Sequence, residues 1–338
     1  MKAFGYSSNS KTLTPEAIKA IELETPTASG HDILVEISAI SVNPVDTKIR
    51  AKVAPENGYK VLGWDAVGIV KAVGESVSLF NIGDRVFYAG DLSRQGSNAQ
   101  FQLVDERIAG RAPATLNDAQ AAALPLTSIT AYEMLFNRLQ VSKTKQHTQQ
   151  SILVIGAAGG VGSILVQLVK QLTGLTVVGT ASRDESVAWL KELGADHVLD
   201  HSKSLSEQRI EKGLAEFDYV ISLTHTEQYQ DEIVACIKPQ GKFALIDDPV
   251  SFDILKFKQK CISIHWEFMF TRSLFTTSDM IEQHNLLNEI SELVDAGTLK
   301  TTLGQHLGPI TAENLLEAHR IVESHTARGK LVLEGFEA

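Results

Sequence analysis

One stretch, "SILVIGAAGGVGSILVQLVKQL", constrains this chain more than any other. Ile152 to Ile155 form a continuous β-favouring run. It enters the turn Gly156-Ala157-Ala158-Gly159-Gly160-Val161-Gly162. Apolar residues then recur at Val161, Ile164, Leu165, Leu168, Val169 and Leu172, the spacing of one helical face. Strand, glycine turn and helix in succession are the start of a βαβ unit. Glycines let the backbone bend sharply and come close to a pyrophosphate, and the helix start offers unbonded N–H groups and a positive dipole end. The competing reading is that the glycines serve only close helix–sheet packing. The βαβ setting favours the ligand. Gly156, Ala158, Gly159, Gly160, Val161 and Gly162 are therefore candidate contacts to a dinucleotide.

About twenty residues further on, the second strand ends in "GTASRDES". A site for NADH commonly carries an acidic residue here, which bonds the ribose hydroxyls. This chain has Ala181, Ser182 and Arg183 instead. A hydroxyl and a guanidinium suit a 2′-phosphate, so the expected cofactor is NADPH. Asp184 and Glu185 follow where the next helix begins, a position that favours acids for dipole reasons. The alternative for Arg183 is a solvated loop charge.

The rest of the chain divides by rhythm. Up to about Glu106 it offers short strand-length pieces, "DILVEISAISV", "VGIVKAVG", "DRVFYAG" and "AQFQLVDE", separated by turn residues. An all-β, partly barrel-like unit is predicted. From about Thr127 apolar strands alternate with helical periods, which predicts a parallel sheet covered on both faces. "VSKTKQHTQQ" (Val141–Gln150) reads as a polar connector before that sheet. After Phe270 come two amphipathic helices, one ended by Gly297 and one capped by Thr311, and a last strand, "GKLVLEG". The chain is thus expected to be α/β, with residues 1–126 a β-rich catalytic segment, 127–268 a Rossmann domain and 269–338 a return segment completing the first. With 338 residues, 43% of them hydrophobic, it can bury sizeable cores. A net charge of −10 argues against sequence-independent binding to nucleic acid. The opening "MKAFGYSSNSKTLTPE" carries no apolar h-region and no apolar run reaches membrane length, so neither a signal peptide nor a membrane span is expected. Two cysteines, Cys236 and Cys261, in apolar segments fit a reduced, cytoplasmic setting.

The β-rich start, the "AAGGVG" turn and the helical return resemble the medium-chain dehydrogenase/reductase superfamily over nearly the whole chain. The resemblance implies a GroES-like domain built from the first and last segments, a Rossmann domain between, and an active site in the cleft they share. Zinc-dependent members carry a cysteine, a Gly-His-Glu and a further ligand. In "ISVNPVDTKIR" Asn43 stands at the cysteine position, with Asp46 retained. In "GWDAVG" Trp64 replaces histidine and Asp65 glutamate, and in "PLTSITAYEML" Leu126 falls near the last ligand. Asn, Trp and Leu are not zinc ligands, and there is no cysteine between Ala89 and Pro125 for a structural zinc. "NPVDTKIR" and the missing ligands resemble the zinc-free quinone oxidoreductase branch, and "HWEFMFTRSLFTTSDM" a subgroup labelled zinc-type alcohol dehydrogenase-like.

The resemblance implies an NADPH-dependent reductase of quinones or α,β-unsaturated carbonyls, acting as a homodimer on a small electrophile without zinc. It places Asn43 and Thr130 beside the nicotinamide and matches His201 to a tyrosine bordering the 2′-phosphate. Asn43 is the candidate polar hand for a developing enolate oxygen, or simply a turn residue before Pro44. Asp46 is the candidate for proton transfer or, preferably, for holding the loop. Thr127 and Thr130 are candidate cofactor ligands or helix caps. Trp64, Tyr88, Phe268 and Phe270 are candidate pocket walls, each alone more often core. Lys330 is a candidate to reach the cofactor. A zinc alcohol dehydrogenase with unusual ligands and a non-catalytic NADPH sensor remain as alternatives.

Overall fold

The computed structural model describes residues 1–56, 58–146 and 149–337. His147 and Thr148 of the polar connector lie outside the described residues. The chain forms two compact units, Met1–Ile129 with Phe270–Ala338, and Thr130–Met269. It passes from one to the other inside the helix Pro125–Tyr132.

The Thr130–Met269 unit is built on a six-stranded sheet. Its order is His197–Leu199, Thr176–Thr180, Ser151–Ile155, Phe217–Ser222, Ile237–Leu245 and Ser263–Trp266. Every neighbouring pair is parallel. The strand Ser151–Ile155 is buried from Ile152 onward, as the continuous apolar run requires. It pairs with Thr176–Thr180 on one side and Phe217–Ser222 on the other. The strand order reverses there, and such switch points leave a crevice at the carboxyl ends of the strands. The glycine turn sits at that end. Phe243, Phe252 and Phe257 pack with ring centroids 5.3–6.2 Å apart and help to close one face.

The other unit carries a sheet in the order Leu303–His306, Lys330–Glu334, Asp32–Val42, Ala66–Val73, Arg85–Tyr88 and Ala109–Arg111, with Phe101–Asp105 also paired to Asp32–Val42. Against Ala66–Val73 the long strand Asp32–Val42 shifts register twice, between Leu34 and Val35 and between Ile37 and Ala39. Such bulges bend a strand and let a sheet curl. The late strand Lys330–Glu334 lies antiparallel to Asp32–Val42, with Leu331 opposite Val42. Residues near the two extremes of the sequence thereby become neighbours.

An all-β reading of the first segment is incomplete. "PVDTKIRAK" is a helix, Pro44–Lys52, with Asn43 as N-cap and Pro44 at its first position. Proline at the start and an acid three residues after the cap are helix-start signals. Among the two later helices, Glu282–Asp295 ends at Gly297, whose φ of +71° suits glycine, and Ala312–Glu323 is capped by the Thr311 hydroxyl. No described helix is long and apolar enough to cross a membrane.

Candidate functional site

The glycine turn is built from contacts that only some residues permit. Gly156 has φ +79°, and its N–H donates to the Thr180 hydroxyl at 3.1 Å. Gly162 faces the opposite constraint: a Cβ there would lie 2.3 Å from the Ala157 carbonyl oxygen, so the helix approaches the turn only because position 162 has no side chain. Gly159 is different again. Its φ of −73° is ordinary, and a Cβ there would meet nothing nearer than the Gly156 oxygen at 3.5 Å. The space above Gly159 is open. Helix Gly160–Leu172 begins here with no side-chain cap, so the first-turn amides of Gly160, Val161 and Gly162 have no intrahelical carbonyl. Open space, uncapped amides and a dipole end fit a dinucleotide pyrophosphate. Ala158 lies in the same turn, and its carbonyl accepts from the Ser163 hydroxyl at 3.4 Å.

At the end of the neighbouring strand the Ser182 hydroxyl lies 3.1 Å from His201 Nε2. Arg183 stands at the N-cap position of the next helix, makes no side-chain cap hydrogen bond, and has its guanidinium 3.7 Å from Glu185. Burial holds the His201 imidazole below its usual pKa, and the nearby charges of Arg183 and His225 add to this against the pull of Asp200. Ser182 and His201 are thus in contact, and Arg183 follows Ser182 directly in the chain. His225 and Thr180 were not foreseen. Thr180 is an ordinary strand threonine, and His225 comes from a third strand end with φ +51°.

The second cluster lies in the β-rich unit, at the residues resembling metal-ligand positions. Gly63, at φ +114°, turns the chain into Trp64 and Asp65. Asp65 is wholly buried. Its Oδ2 accepts from the Ser41 hydroxyl at 2.7 Å, Asn43 Nδ2 at 2.7 Å and the Lys330 ammonium at 3.0 Å. Its Oδ1 accepts from the Leu126 N–H at 2.7 Å. Lys330 also donates to Asn43 Oδ1 and to the Val42 carbonyl at 3.3 Å. Asp46, equally buried, accepts from the Asn43 N–H at 2.8 Å and so fixes the start of its helix. Among the described residues no group of three or more His, Cys, Asp or Glu could hold a metal.

Several single assignments need revision. The sequence makes Lys330 a candidate to reach the cofactor, but its three N–H groups are taken by protein oxygens and it is 3% exposed. Trp64, Tyr88 and Phe270, candidate pocket walls by sequence, are all buried. The Trp64 indole donates to the Asp91 carbonyl at 3.2 Å and meets Phe270 edge-on at 6.4 Å. The Tyr88 hydroxyl has no partner among the described residues, and burial pushes its pKa far up. Of the four aromatics only Phe268, half exposed, presents a surface. The Thr127 hydroxyl donates back to the Leu124 carbonyl at 3.2 Å, and Thr130 is buried in the same helix. Both Asn43 amide atoms are engaged within the cluster, which makes Asn43 a holder of Asp65 and Lys330 before anything else.

Burial raises the Asp46 carboxyl to about 7, against the lowering effects of the Asn43 N–H and Lys330. The folded chain therefore keeps a proton on Asp46 that the unfolded chain releases near pH 3.8. Folded protein binds the extra proton, so this group costs stability progressively from about pH 4 to 7, and no more above that. Asp46→Asn, which keeps an acceptor for the Asn43 amide, should flatten that part of the stability–pH curve. Thermal melts at half-unit pH steps read this directly, and an unchanged slope would show that Asp46 does not carry it.

Comparison with known proteins places this arrangement. Residues 29–116 match the alcohol dehydrogenase GroES-like domain and residues 193–333 match zinc-binding dehydrogenase. The chain belongs to the medium-chain dehydrogenase/reductase superfamily and is an oxidoreductase of its alcohol dehydrogenase-like kind. A zinc-type alcohol dehydrogenase-like protein of Staphylococcus epidermidis is 40% identical over 98% of this chain and 99% of its own. The 2-methylene-furan-3-one reductase of Solanum lycopersicum is 28% identical over 98% of this chain and 79% of its own. A crystal structure from Rhizobium etli, provisionally described as a zinc-dependent alcohol dehydrogenase protein, has a TM-score of 0.97 at 55% identity, covering 100% of this chain and 99% of that one. Escherichia coli quinone oxidoreductase complexed with NADPH shares the fold, with a TM-score of 0.82 at 23% identity over 99% and 100% of the two chains.

Proposed function

We propose that this protein is an NADPH-dependent reductase of quinones or α,β-unsaturated carbonyls that transfers hydride without zinc. The observation that carries the reading is the closed polar cluster of Asp65. Both its oxygens are occupied by hydrogen-bond donors, and its cation is a lysine rather than a metal. Zinc needs thiolate, imidazole or carboxylate with free lone pairs at tetrahedral spacing. Asn43, Trp64 and Leu126 do not supply them, so the residues present do not fit the zinc that the family name implies. Without a Lewis acid an alkoxide has little help in losing hydride, whereas an electron-poor C=C or quinone needs mainly orientation against the reduced nicotinamide. That a relative reduces 2-methylene-furan-3-one, an enone by its name, supports this choice. The open glycine turn fits the dinucleotide, and Ser182 and Arg183 favour the phosphorylated form.

The test is spectrophotometric oxidation of NADPH, with NADH in parallel, against one quinone and one enone, with and without a chelator. Chelator-insensitive turnover that prefers NADPH is expected. Loss of turnover with chelator would sink the zinc-free reading, and tight NADPH binding with no turnover of either acceptor would point to a sensor. We include in the proposal a cytoplasmic homodimer paired along Ser263–Trp266, which ends its sheet and carries the half-exposed Trp266. Light scattering at a few concentrations checks the dimer.

A further inference from the structure

We propose that Glu133, Glu267 and Arg138 form a proton-locked clasp between the two connections through which the chain enters and leaves the Thr130–Met269 unit, and that loss of the shared proton loosens both. This does not depend on the cofactor and substrate reading above. The chain enters this unit at Ile129–Thr130 and leaves it at Met269–Phe270. Glu133 closely follows the first crossing and Glu267 closely precedes the second. The first connection is built for the contact. Helix Pro125–Tyr132 runs on into a π-helical turn, Glu133–Arg138, where the Leu139 N–H donates to the Met134 carbonyl five residues back at 3.0 Å. On an α-helix Glu133 and Arg138 would point about 140° apart. The wider π turn brings them to one side, with the guanidinium 4.0 Å from Glu133 Oε2. The Arg138 Nε–H donates to Glu267 Oε2 at 2.8 Å, across 129 residues of sequence. On the second connection the Glu267 N–H donates to the Leu245 carbonyl at 3.0 Å, just beyond the strand Ser263–Trp266.

Both carboxyls are buried, and they are hydrogen-bonded to each other. Two carboxylates contain no donor, so that bond exists only with a proton between them. Glu267 Oε1 receives no other hydrogen bond from the described residues, which leaves it for that proton. Burial, with the Glu133 charge, holds the Glu267 carboxyl well above the usual range, against the pull of Arg138. Two more basic groups stand near. His265 lies on the strand that leads to Glu267, and burial, Lys242 and Arg138 hold its imidazole below the usual pKa. Lys242, on the neighbouring strand, gives its ammonium to the Leu139 carbonyl at 2.8 Å. Neither bonds Glu267 Oε1. The proton is therefore what closes the clasp. Its loss sets two buried carboxylates against each other, which disfavours the closed arrangement. The closed form holds a proton that an opened, solvated carboxyl releases near pH 4.5, so opening becomes easier as pH rises through neutrality.

The experiment is amide hydrogen exchange of the full chain, followed by mass spectrometry at a series of pH values from about 6 to 9 and corrected for the intrinsic pH dependence of amide exchange. Segments 133–139 and 263–269 are expected to open more as pH rises, by up to about tenfold per unit for one linked proton. The strand Ser151–Ile155 should stay flat. Glu267→Gln keeps the shape of the protonated acid and supplies an N–H to Glu133, so it should hold both segments closed across the range. Glu133→Gln should do the same from the other side, and it keeps the test open if the first variant folds poorly. Asp46 also titrates, but it lies in the other unit, so exchange read segment by segment separates the two. Corrected exchange in the unsubstituted protein that does not change with pH would overturn the inference. So would a rise with pH that survives in a folded Gln variant.

Discussion

Replacing Lys330 by methionine should destabilise the β-rich unit by about 3–5 kcal/mol, the cost of leaving one partner of a buried ion pair without the other. The change deletes a cation that is 3% exposed and leaves Asp65 wholly buried with its negative charge. The Asn43 carbonyl loses its donor in the same step. For a unit of this size each kcal/mol moves the melting temperature by about 2–4 °C, so the transition should fall by roughly 10 °C. The double variant Asp65→Asn with Lys330→Met is the decisive comparison. It removes both charges and keeps an oxygen for the Leu126 amide, and it should recover most of the loss. Buried pairs are often replaceable together but not singly. Calorimetric melts of the two variants decide it. A double variant as unstable as the single one would mean that Asp65 and Lys330 are not coupled.

The second large effect concerns the glycine turn, where two neighbouring glycines should fail in different ways. Gly159→Val adds bulk where the protein has only the Gly156 oxygen at 3.5 Å to meet, in a conformation any residue adopts. The melting temperature should move by no more than about 2 °C. On the cofactor reading proposed above, NADPH affinity should fall by at least about tenfold, because blocking one or two charge-assisted bonds from the helix amides to phosphate costs about 1.5–3 kcal/mol each. Gly162→Val puts its Cβ 2.3 Å from the Ala157 carbonyl oxygen. Something in the backbone must shift, so stability and binding should both collapse. Melting curves and cofactor titration on the same two samples separate the cases. Equal losses of stability would refute the assignment of the space above Gly159 to a ligand.

What the sequence reveals follows the range of the interaction. The turn Gly156–Gly162 is legible because strand, glycines and helix lie within about twenty residues, and each part constrains the next. The helix Pro44–Lys52 was also legible in principle, from Asn43, Pro44 and Asp46, but the surrounding strand rhythm masked it. The polar cluster was only half readable. Asn43, Asp46 and Asp65 drew attention because they resemble a metal site. Nothing local tied Lys330 to them across 265 residues. One signal could have done so: Asp65 is the single charge in the apolar stretch "LGWDAVG", and Lys330 opens the apolar run "KLVL" with the opposite sign. A charge buried in such a run needs a partner. The Leu126 amide, the fourth donor to Asp65, leaves no trace in a side-chain pattern. Trp64, Tyr88 and Phe270 show the converse, since an aromatic suits a pocket wall and a core equally well until burial is known.

The pairing of Lys330–Glu334 with Asp32–Val42 also sets an order of events during synthesis. Asp65 leaves the ribosome 265 residues ahead of the lysine that neutralises it. At about 5–20 residues per second that interval is roughly 10–50 s. Throughout it the β-rich unit lacks its last central strand and carries an acid that cannot be buried as a charge. The Thr130–Met269 unit is continuous in sequence and has no such wait. The nascent chain can thus complete the Thr130–Met269 unit first, and the β-rich unit closes only when the final strand arrives.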